Sequence, residues 1–488
     1  MDSPTPASSA RSFPLFKRIS ILAFLLASSL AASAQTWTLS WSDEFSGTTI
    51  NSANWTYDTG ILNVNNEVEY YCASNNNTAP CDSRNPNAYL DGSGHLIIQA
   101  LRINSEVAPY SGSWTSARLN SSNLQSFQYG RIESSMSLPL GPGLWPAFWA
   151  LGTNITAVGW PASGEIDYME NVPLTAGLGP SVISSTLHGG YRPSNCYCGG
   201  NGLGKRYTFP STDPNGPDVT TFHTYGAIWS PNMVQFYVDD PANVFFVRTA
   251  ADVPSGFTWD YNHPFFQLLN LAVGGTGSWP GPPDNTTPSP AVMTVDYIRV
   301  YTASEVPPPT MSAPSISVTA GSTGTSAVSL NSTSLTGRVY LSCSTNAPKA
   351  TCTINTTDSL DEYTVDFSSA SSASATVSIS TRANTSNRVA VGMLAGSICP
   401  IAGFLPIALA FVAPIPRRKY CFALAGALLA VTLWLGCGGS SSAQTSGGGG
   451  NTLNGTPPGN YAIMVNAYTV SNMSGTADAV LNIPLIVN

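Results

Sequence analysis

Charged residues are scarce in this sequence of 488 residues, since Asp, Glu, Lys and Arg together make up only 9% of it. Basic residues are the rarer kind: 19 Lys and Arg stand against 27 Asp and Glu, which gives a formal net charge of −8. Binding to a nucleic-acid backbone requires a basic patch, so we expect no nucleic-acid partner. No long amphipathic helix is visible in the apolar pattern either, which argues against a helical bundle.

Several common catalytic motifs are missing as well. The four histidines are scattered, and the chain has neither an H-E-x-x-H zinc motif nor a G-x-S-x-G nucleophile elbow. The stretch GGNGLGKR approaches a phosphate-binding P-loop but ends in Arg206, where that motif needs Ser or Thr. These absences disfavour zinc hydrolases, serine hydrolases and P-loop NTPases, and we expect no cofactor for catalysis.

Short strand patterns with turns between them fill the part of the sequence before residue 302. The chain contains 43 Gly and 37 Pro, a composition typical of many short strands and turns. In the segment MVQFYVDD, Val234, Phe236 and Val238 recur at every second position, which predicts a strand with one apolar face. We therefore predict one large all-β unit over residues 35–302, built as two stacked sheets.

Residues 1–34 have the pattern of an export signal. Arg11, Lys17 and Arg18 precede the apolar stretch ISILAFLLASSLAA, and the small residues ASA end at Ala34. An uncleaved N-terminal membrane anchor is the alternative. In either case the following residues leave the cytoplasm, so we expect an extracellular or periplasmic protein in which disulfides can form.

The cysteines suggest closed loops rather than a metal site. Two pairs flank polar loops with the same spacing: Cys72 with Cys81, and Cys343 with Cys352. Each pair could close its loop. Cys196 and Cys198 are separated by one residue, which is too close for comfortable pairing, and no cluster has zinc-ligand spacing.

The composition changes after the first unit. We predict a Pro-rich linker over 303–314, a small immunoglobulin-like β-sandwich over 315–388 and a Gly/Ser linker over 438–457. Residues 389–437 contain two apolar runs joined by a short basic loop, which predicts a transmembrane helical hairpin that tethers the protein to a membrane. A buried apolar segment of a soluble domain is the alternative. The strand patterns in 458–488 are expected to complete the sandwich that this hairpin interrupts.

The densest group of charges is the segment GEIDYMEN, where Glu165, Asp167 and Glu170 place three carboxylates within six positions. Residues two apart on a strand share a face, but Glu170 joins that face only if a β-bulge at Tyr168 or Met169 adds one residue. The mutual repulsion of the three acids then keeps one of them protonated near neutral pH, as glycoside hydrolysis by two carboxyl groups requires. A solvated acidic strand or a cation site is the alternative interpretation.

The segments around this group resemble glycoside hydrolase family 16, and within it the bacterial laminarinase-like endo-β-1,3-glucanases. Matching pieces run in family order between residues 36 and 302: WSDEFSG, NWTYDTG, NNEVEYY, TSARLNS, FQYGRIE, LPLGPGLWPAFWALG, WPASGEIDYMEN, STLHGG, FHTYGAIWS, HPFFQLLNLAVGG, WPG and VDYIRVY. The resemblance implies a β-jelly roll whose concave face is the glycan cleft. It also implies Glu165 as nucleophile, Asp167 as assisting acid and Glu170 as general acid/base of a retaining endo-hydrolase of β-1,3 or mixed β-1,3-1,4 glucan.

Aromatic residues support a sugar-binding cleft independently, because sugar rings stack on the flat face of Trp. Ten of the eleven tryptophans lie between residues 37 and 279, and four are candidate platforms, with core packing as the alternative: Trp145, Trp149, Trp160 and Trp279. The resemblance further implies that Asn87 and Arg118 contact the glycone side of the substrate, and that His188 lies in the cleft.

Relatives in the family often carry a structural cation on the convex face. The resemblance places this cation at a backbone oxygen near Glu44 and at the carboxylate of Asp296, where hard oxygen ligands suit calcium. Two ordinary acids at strand edges are the alternative.

Three classes of function therefore remain after the sequence is read. The first is a retaining endo-β-1,3-glucanase that binds β-glucan, such as laminarin, as a monomer. Other family 16 activities, such as galactan hydrolysis or transglycosylation, are alternatives within this first class, and a non-catalytic glycan-binding module is the second class. A third possibility is that the C-terminal region acts as an adhesin or anchor.

Overall fold

The computed structural model describes residues 35–103, 113–172, 179–198, 202–384, 454–471 and 474–488. The predicted export signal, 1–34, and the predicted hairpin, 389–437, lie outside these ranges. Within them no helix is long and apolar enough to span a membrane. The described chain is all-β, as predicted, with one short α-helix, Ile155–Val158, and one 3₁₀ helix, Ala250–Asp252.

Eighteen strands form the first unit. In chain order they are β1 (Trp37–Asp43), β2 (Thr56–Asp58), β3 (Glu69–Tyr71), β4 (Ala88–Leu90), β5 (Leu96–Arg102), β6 (Trp114–Ser116), β7 (Arg118–Asn120), β8 (Gly130–Ser137), β9 (Leu144–Gly152), β10 (Glu165–Glu170), β11 (Val182–Arg192), β12 (Asn195–Tyr197), β13 (Leu203–Thr208), β14 (His223–Ser230), β15 (Met233–Val238), β16 (Val244–Thr249), β17 (Phe265–Val273) and β18 (Ala291–Ala303).

These strands form the two stacked sheets that the sequence predicts. The outer sheet has the order β16-β15-β14-β8-β18-β5-β6-β3, with β1 beside β18 and β4 beside β5. The inner sheet has the order β12-β11-β10-β9-β17-β7-β2, with β13 beside β11. One hydrophobic core fills the space between the sheets, with fully buried Phe148, Ile166 and Phe236 among its members. The inner sheet thus has one face on this core and one face free for a site.

The strand β15 differs from its sequence pattern. Val234, Phe236 and Val238 face the core as predicted, but Gln235 and Tyr237 on the other face are also buried. The hydroxyl of Tyr237 donates to the carboxylate of Glu133. Both faces of β15 are therefore covered, because its other side contacts the polar groups of the sheet and the second unit.

A second, smaller sandwich follows. Its strands are β19 (Thr310–Ser312), β20 (Ile316–Val318), β21 (Thr323–Asn331), β22 (Arg338–Thr345), β23 (Thr351–Thr356), β24 (Thr364–Asp366), β25 (Ser372–Ser380), β26 (Gly459–Tyr468) and β27 (Ala479–Val487). The sheet β19-β21-β25-β23 packs on the sheet β20-β27-β26-β22-β24. β26 pairs with β22, and β27 pairs in parallel with β20. The C-terminal strands therefore lie inside the sandwich that begins near residue 315.

The boundary between the two units differs from the predicted linker at 303–314, because β19 lies within it and pairs with β21. The units also touch each other. Met233 and Val247 of the first unit share a small apolar cluster with Tyr340 of the second, and the carboxyl group of Asp252 lies close enough to that of Asp361 to raise its pKa, after burial as the larger cause. This contact couples the two sandwiches.

Three disulfides cross-link the described chain. Both loops suggested by the sequence are closed, by Cys72–Cys81 and Cys343–Cys352. The third bond, Cys196–Cys198, contradicts our expectation that these two cysteines are too close to pair. Their Cα atoms lie 5.4 Å apart, which is within the ordinary range for a disulfide despite the short separation in sequence.

Candidate active site

The three acids of β10 line one cleft because the strand contains a bulge. Ile166, Tyr168 and Met169 point into the core, whereas the carboxylates of Glu165, Asp167 and Glu170 line the opposite face. On both neighbouring strands the pairing register shifts between Asp167 and Glu170. The bulge predicted at Tyr168 or Met169 is therefore present, and it returns Glu170 to the face of the other two acids.

The neighbouring strands contribute to the same cleft by strict alternation. On β9, Leu144 and Phe148 enter the core while Trp145 and Trp149 line the cleft. β11 and β17 follow the same rule and add the following lining residues: Ser184, Thr186, His188, Asn270 and Ala272. The cleft has a volume of about 1120 Å³, which is large enough for several sugar units.

Two tryptophans hold the outer acids. The indole N–H of Trp160 donates to Oε2 of Glu165 at 2.9 Å, and the indole N–H of Trp145 donates to Oε1 of Glu170 at 3.0 Å. A hydrogen bond to the charged form of a carboxyl group favours that form. The sequence predicts both tryptophans as sugar platforms, and the structure adds this second role, which spacing alone does not reveal.

His188 faces the middle of the acid group. Its Nε2 lies 3.0 Å from Oδ2 of Asp167 and 3.8 Å from Oε1 of Glu165. Only 4% of the Asp167 side chain is exposed, against 16% for Glu165 and 12% for His188. The imidazole therefore supplies positive charge, when protonated, to the most deeply buried carboxylate of the site.

Burial is the main influence on the acidity of the three carboxyl groups. It raises the pKa of Glu165 to about 8, with the charge of Asp167 as the second cause, while His188 and the Trp160 N–H act in the opposite direction. Burial, and then Asp167, also raises the pKa of Glu170 well above its usual range. Burial raises the pKa of Asp167 in the same way. Protons therefore remain in this group at neutral pH.

Arg118 lies at one end of the row beside β17. Its Nε is 2.8 Å from Oδ2 of Asp58, and its guanidinium lies 4.6 Å from the ring centroid of Trp149. The indole N–H of Trp149 donates to Oδ1 of Asn270 at 2.7 Å. These contacts fix the orientation of Trp149 across the cleft, so its ring is positioned before a ligand arrives.

Trp279 also lines the cleft, in edge-to-face contact with Trp145 at a centroid distance of 5.5 Å.

Asn87 does not line the cleft, and its prediction as a substrate contact is wrong. Its side chain is buried and donates to the main-chain oxygen of Gln99 at 2.9 Å and to Oγ1 of Thr115 at 3.1 Å. Asn87 thus joins β5 to β6 instead of contacting substrate.

Other cleft residues escaped the sequence analysis. Asn270 and Ala272 lie in an apolar strand, and Asn66 and Glu67 lie in a loop before β3. The loop residues belong to the NNEVEYY segment, so their place in the family order was the signal that could have found them. Asn270 was detectable as the single amide inside the apolar run LLNLAV.

The predicted cation residues lie away from the cleft. The carboxylate of Glu44 accepts two hydrogen bonds from Arg299, at 2.9 and 2.7 Å. Asp296 lies where the register of β18 against β8 shifts. Because Arg299 engages the Glu44 side chain, main-chain oxygens near residue 44 would have to supply the ligands on that side. The calcium ion stays a prediction.

The first unit matches a known protein family. Residues 51–299, which span nearly all of the first unit, match the family model for glycosyl hydrolases family 16. The chain belongs to this family. It is therefore a glycoside hydrolase, and the acids of β10 lie within the matched region.

Curated relatives include glucan endo-1,3-beta-glucosidase A1 of Niallia circulans, which is 34% identical over 273 residues. That match covers 54% of this chain and 37% of the relative, so the chain spans little more than a third of that protein. The beta-glucanase of Rhodothermus marinus is 34% identical over 286 residues, covering 57% of this chain and 89% of the relative.

Solved structures similar to this chain include two glucanases. The endo-beta-1,3-glucanase of Pyrococcus furiosus is 39% identical, with a TM-score of 0.46, and the match covers 54% of this chain and 94% of that one. The laminarinase catalytic domain of Thermotoga petrophila RKU-1 is 36% identical, with a TM-score of 0.47, covering 55% and 98%.

Proposed function

We propose that this family 16 enzyme is a retaining endo-β-1,3-glucanase. The observation that carries the proposal is the bulge in β10, which brings Glu165 and Glu170 to one face of the cleft with Asp167 between them. Retaining hydrolysis needs a nucleophilic carboxylate and a carboxylic acid on the same sugar-binding face. The open cleft supports attack within a chain, and the relative from Niallia circulans is named a glucan endo-1,3-beta-glucosidase.

In the first step Glu165 attacks the anomeric carbon while Glu170 gives its proton to the departing glycosidic oxygen. A covalent glycosyl-enzyme results. In the second step Glu170 takes a proton from water, and the water oxygen displaces Glu165 with net retention of configuration. The sugar that stays bound lies towards Arg118, as the family resemblance implies, and the leaving sugar lies towards β11 and β13.

The surroundings of the acids suit these roles. Trp160 and His188 both favour the ionised form of Glu165, which the attack requires. Burial and the charge of Asp167 keep the pKa of Glu170 high, so that carboxyl can hold a proton at neutral pH. Asp167 raises the pKa of both outer acids, so the group retains a proton that Glu170 can carry to the leaving oxygen.

A panel of laminarin, lichenan and agarose tests the substrate. We expect the fastest release of reducing ends from laminarin, and NMR of the first products should show the β-anomer. An α-anomer as first product, or faster cleavage of agarose, contradicts the proposal. The Glu165→Gln variant should lose turnover and keep binding to laminarin. If it releases sugar as fast as the parent, Glu165 is not the nucleophile.

Two other proposals concern where the protein acts. The predicted signal at 1–34 and the three disulfides support action outside the cytoplasm. Membrane tethering by 389–437 is tested by fractionating cells that carry the protein with and without these residues. A full-length protein that stays in the soluble fraction contradicts tethering.

A further inference from the structure

Two cations that have no ion-pair partner among the described residues lie at one edge of the cleft. Residues 35–302 contain nine Lys and Arg, and four of these form ion pairs with acids of the same unit: Arg84, Arg118, Arg131 and Arg299. Lys205 and Arg206 are consecutive and exposed, and both border the cleft. The Arg206 side chain shares the cleft face of Ser184, whereas Lys205 lies on the face of Leu203 and Tyr207, which packs against the core. Within the described part of the chain neither has an ion-pair partner.

The strand register places this edge beside the catalytic acids. On β13, Arg206 pairs with Ser184, and Ser184 pairs in turn with Glu170. Adjacent strands lie about 4.8 Å apart, so the backbone of Arg206 is roughly 10 Å from that of Glu170. An arginine side chain spans most of this gap, and a sugar next to Glu170 would lie between the two residues.

The two flanks of the cleft differ in chemistry. The flank towards Arg118 carries the indole rings of Trp145, Trp149 and Trp279. The flank formed by β11 and β13 carries small polar side chains between the acids and Arg206, namely Ser184 and Thr186. Small side chains leave room for a substituent on the bound sugar, and Arg206 is within reach of that room.

Charge in the rest of the cleft would oppose an anionic ligand. Three carboxylates lie at its centre, and the chain has a net charge of −8. Unpaired cations at the edge offset this repulsion locally and draw negative groups towards that flank. A guanidinium also matches the oxygens of a carboxylate or sulfate with two parallel N–H donors, which an ammonium cannot do.

We propose that Arg206, with the charge of Lys205 next to it, forms a subsite for a negatively charged substituent, a sulfate ester or a carboxylate, on the sugar at the leaving-group side of the scissile bond. The proposal rests on the proposed function, in which Glu170 protonates the leaving oxygen. The enzyme therefore accepts anionic β-glucans as well as neutral ones, and these two residues set that tolerance.

The test compares kcat/KM on laminarin, sulfated laminarin and carboxymethylated laminarin for the parent and for a Lys205→Gln/Arg206→Gln double variant. The matched control is Arg192→Gln, since Arg192 is exposed at the end of β11 and does not line the cleft. We expect the double variant to lose about tenfold on an anionic polymer relative to laminarin, a typical effect of one charge-assisted hydrogen bond. The control should keep the parental ratio. The anionic polymer on which the loss occurs identifies sulfate or carboxylate as the ligand.

Salt and binding measurements complete the test. Raising the salt concentration should lower the relative rate on the anionic polymer in the parent and leave it unchanged in the double variant. An unchanged substrate ratio in the double variant overturns the proposal, and so does an equal loss on all three polymers. Retention of the Glu165→Gln protein in gels containing each polymer reports binding without turnover. Failure of the proposed function would thus appear as absent hydrolysis, whereas failure of the subsite would appear as unchanged retention after the charges are removed.

Discussion

Trp145 donates its indole N–H to Oε1 of Glu170 across a distance of 3.0 Å. The same ring lies edge-to-face against Trp279, so Trp145 connects the acid to the aromatic wall of the cleft. Under the proposed function, this one residue serves both the chemistry and the binding of sugar. A variant that keeps an aromatic ring and loses the donor separates the two contributions.

We expect Trp145→Phe to raise the pKa of Glu170 further, because the lost hydrogen bond favours the ionised carboxylate. The alkaline limb of the kcat/KM profile should then move to higher pH, with a several-fold loss of kcat as the acid loses its orientation. Trp259→Phe is the matched control, because its indole bonds Asn262 at 3.2 Å and does not line the cleft. An alkaline limb that stays in place, or moves to lower pH, contradicts this role.

His188→Asn should affect the opposite limb. His188 lowers the pKa values of Glu165 and Glu170, and in both cases it opposes the larger effects of burial and Asp167. Without it, ionisation of Glu165 requires a pH still further above its present pKa of about 8, so activity at pH 6 should fall by a larger factor than activity at pH 9. His95→Asn controls for the loss of an imidazole, since His95 pairs with Asp91 away from the cleft. Equal losses at both pH values would show that His188 acts only on structure.

Glu165→Gln should change how stability depends on pH. Burial, and then Asp167, raises the pKa of Glu165 from its usual 4.5 to about 8 in the folded protein. The fold therefore favours the neutral carboxyl, and this contribution is complete below about pH 4.5 and lost as the pH rises through about 8. The Gln side chain cannot ionise, so the variant does not lose stability in this way as the pH rises.

The difference in Tm between Glu165→Gln and the parent should accordingly increase from pH 5 to pH 8.5. Glu305→Gln, which changes an exposed glutamate, should show a constant difference over the same range. A difference for Glu165→Gln that is flat, or that shrinks with pH, would mean that the carboxyl ionises in the folded protein without cost.

The contact between the two sandwiches should weaken in alkaline solution. Burial, and then the neighbouring Asp252, raises the pKa of Asp361 to about 8. The protonated pair is therefore favoured by the fold, and its contribution disappears as the pH rises through that value. We expect hydrogen exchange around Asp361, corrected for intrinsic rates, to speed up between pH 6.5 and 9.

Asp361→Asn should remove this pH dependence, because the amide cannot ionise. Asp240→Asn changes an exposed aspartate of the first unit and should leave the parental behaviour intact. If the parent shows constant protection up to pH 9, the two carboxyl groups do not share a proton.

The bulge in β10 was predictable because the acids themselves are out of phase with a regular strand. Glu165 and Asp167 fit a period of two, Glu170 does not, and only one extra residue reconciles all three with a shared face. The alternation of β9 likewise separates core from cleft residues without further information. These are local rules, so the sequence is sufficient for them.

Such local rules do not predict which residues of distant segments contact each other. Asn87 matched a family position by order along the chain, but its burial depends on how β5 and β6 fold over it. The pairing of Arg118 with Asp58 depends on β2 lying next to β7. The sequence of neither strand alone predicts that the two are neighbours in the sheet. Hydrophobic patterning specifies which side chains are inside, and it leaves polar partners open.

The parallel pairing of β20 with β27 joins segments far apart along the chain, as the hydrogen bond between Ser317 and Asn488 across 171 residues illustrates. During synthesis the early strands of the smaller sandwich must therefore wait, with one sheet edge unpaired, until the last strands leave the ribosome. The larger sandwich has no such dependence, since all of its strands precede residue 304. Translation order thus gives the catalytic unit time to form first, and its smaller neighbour closes only at the end.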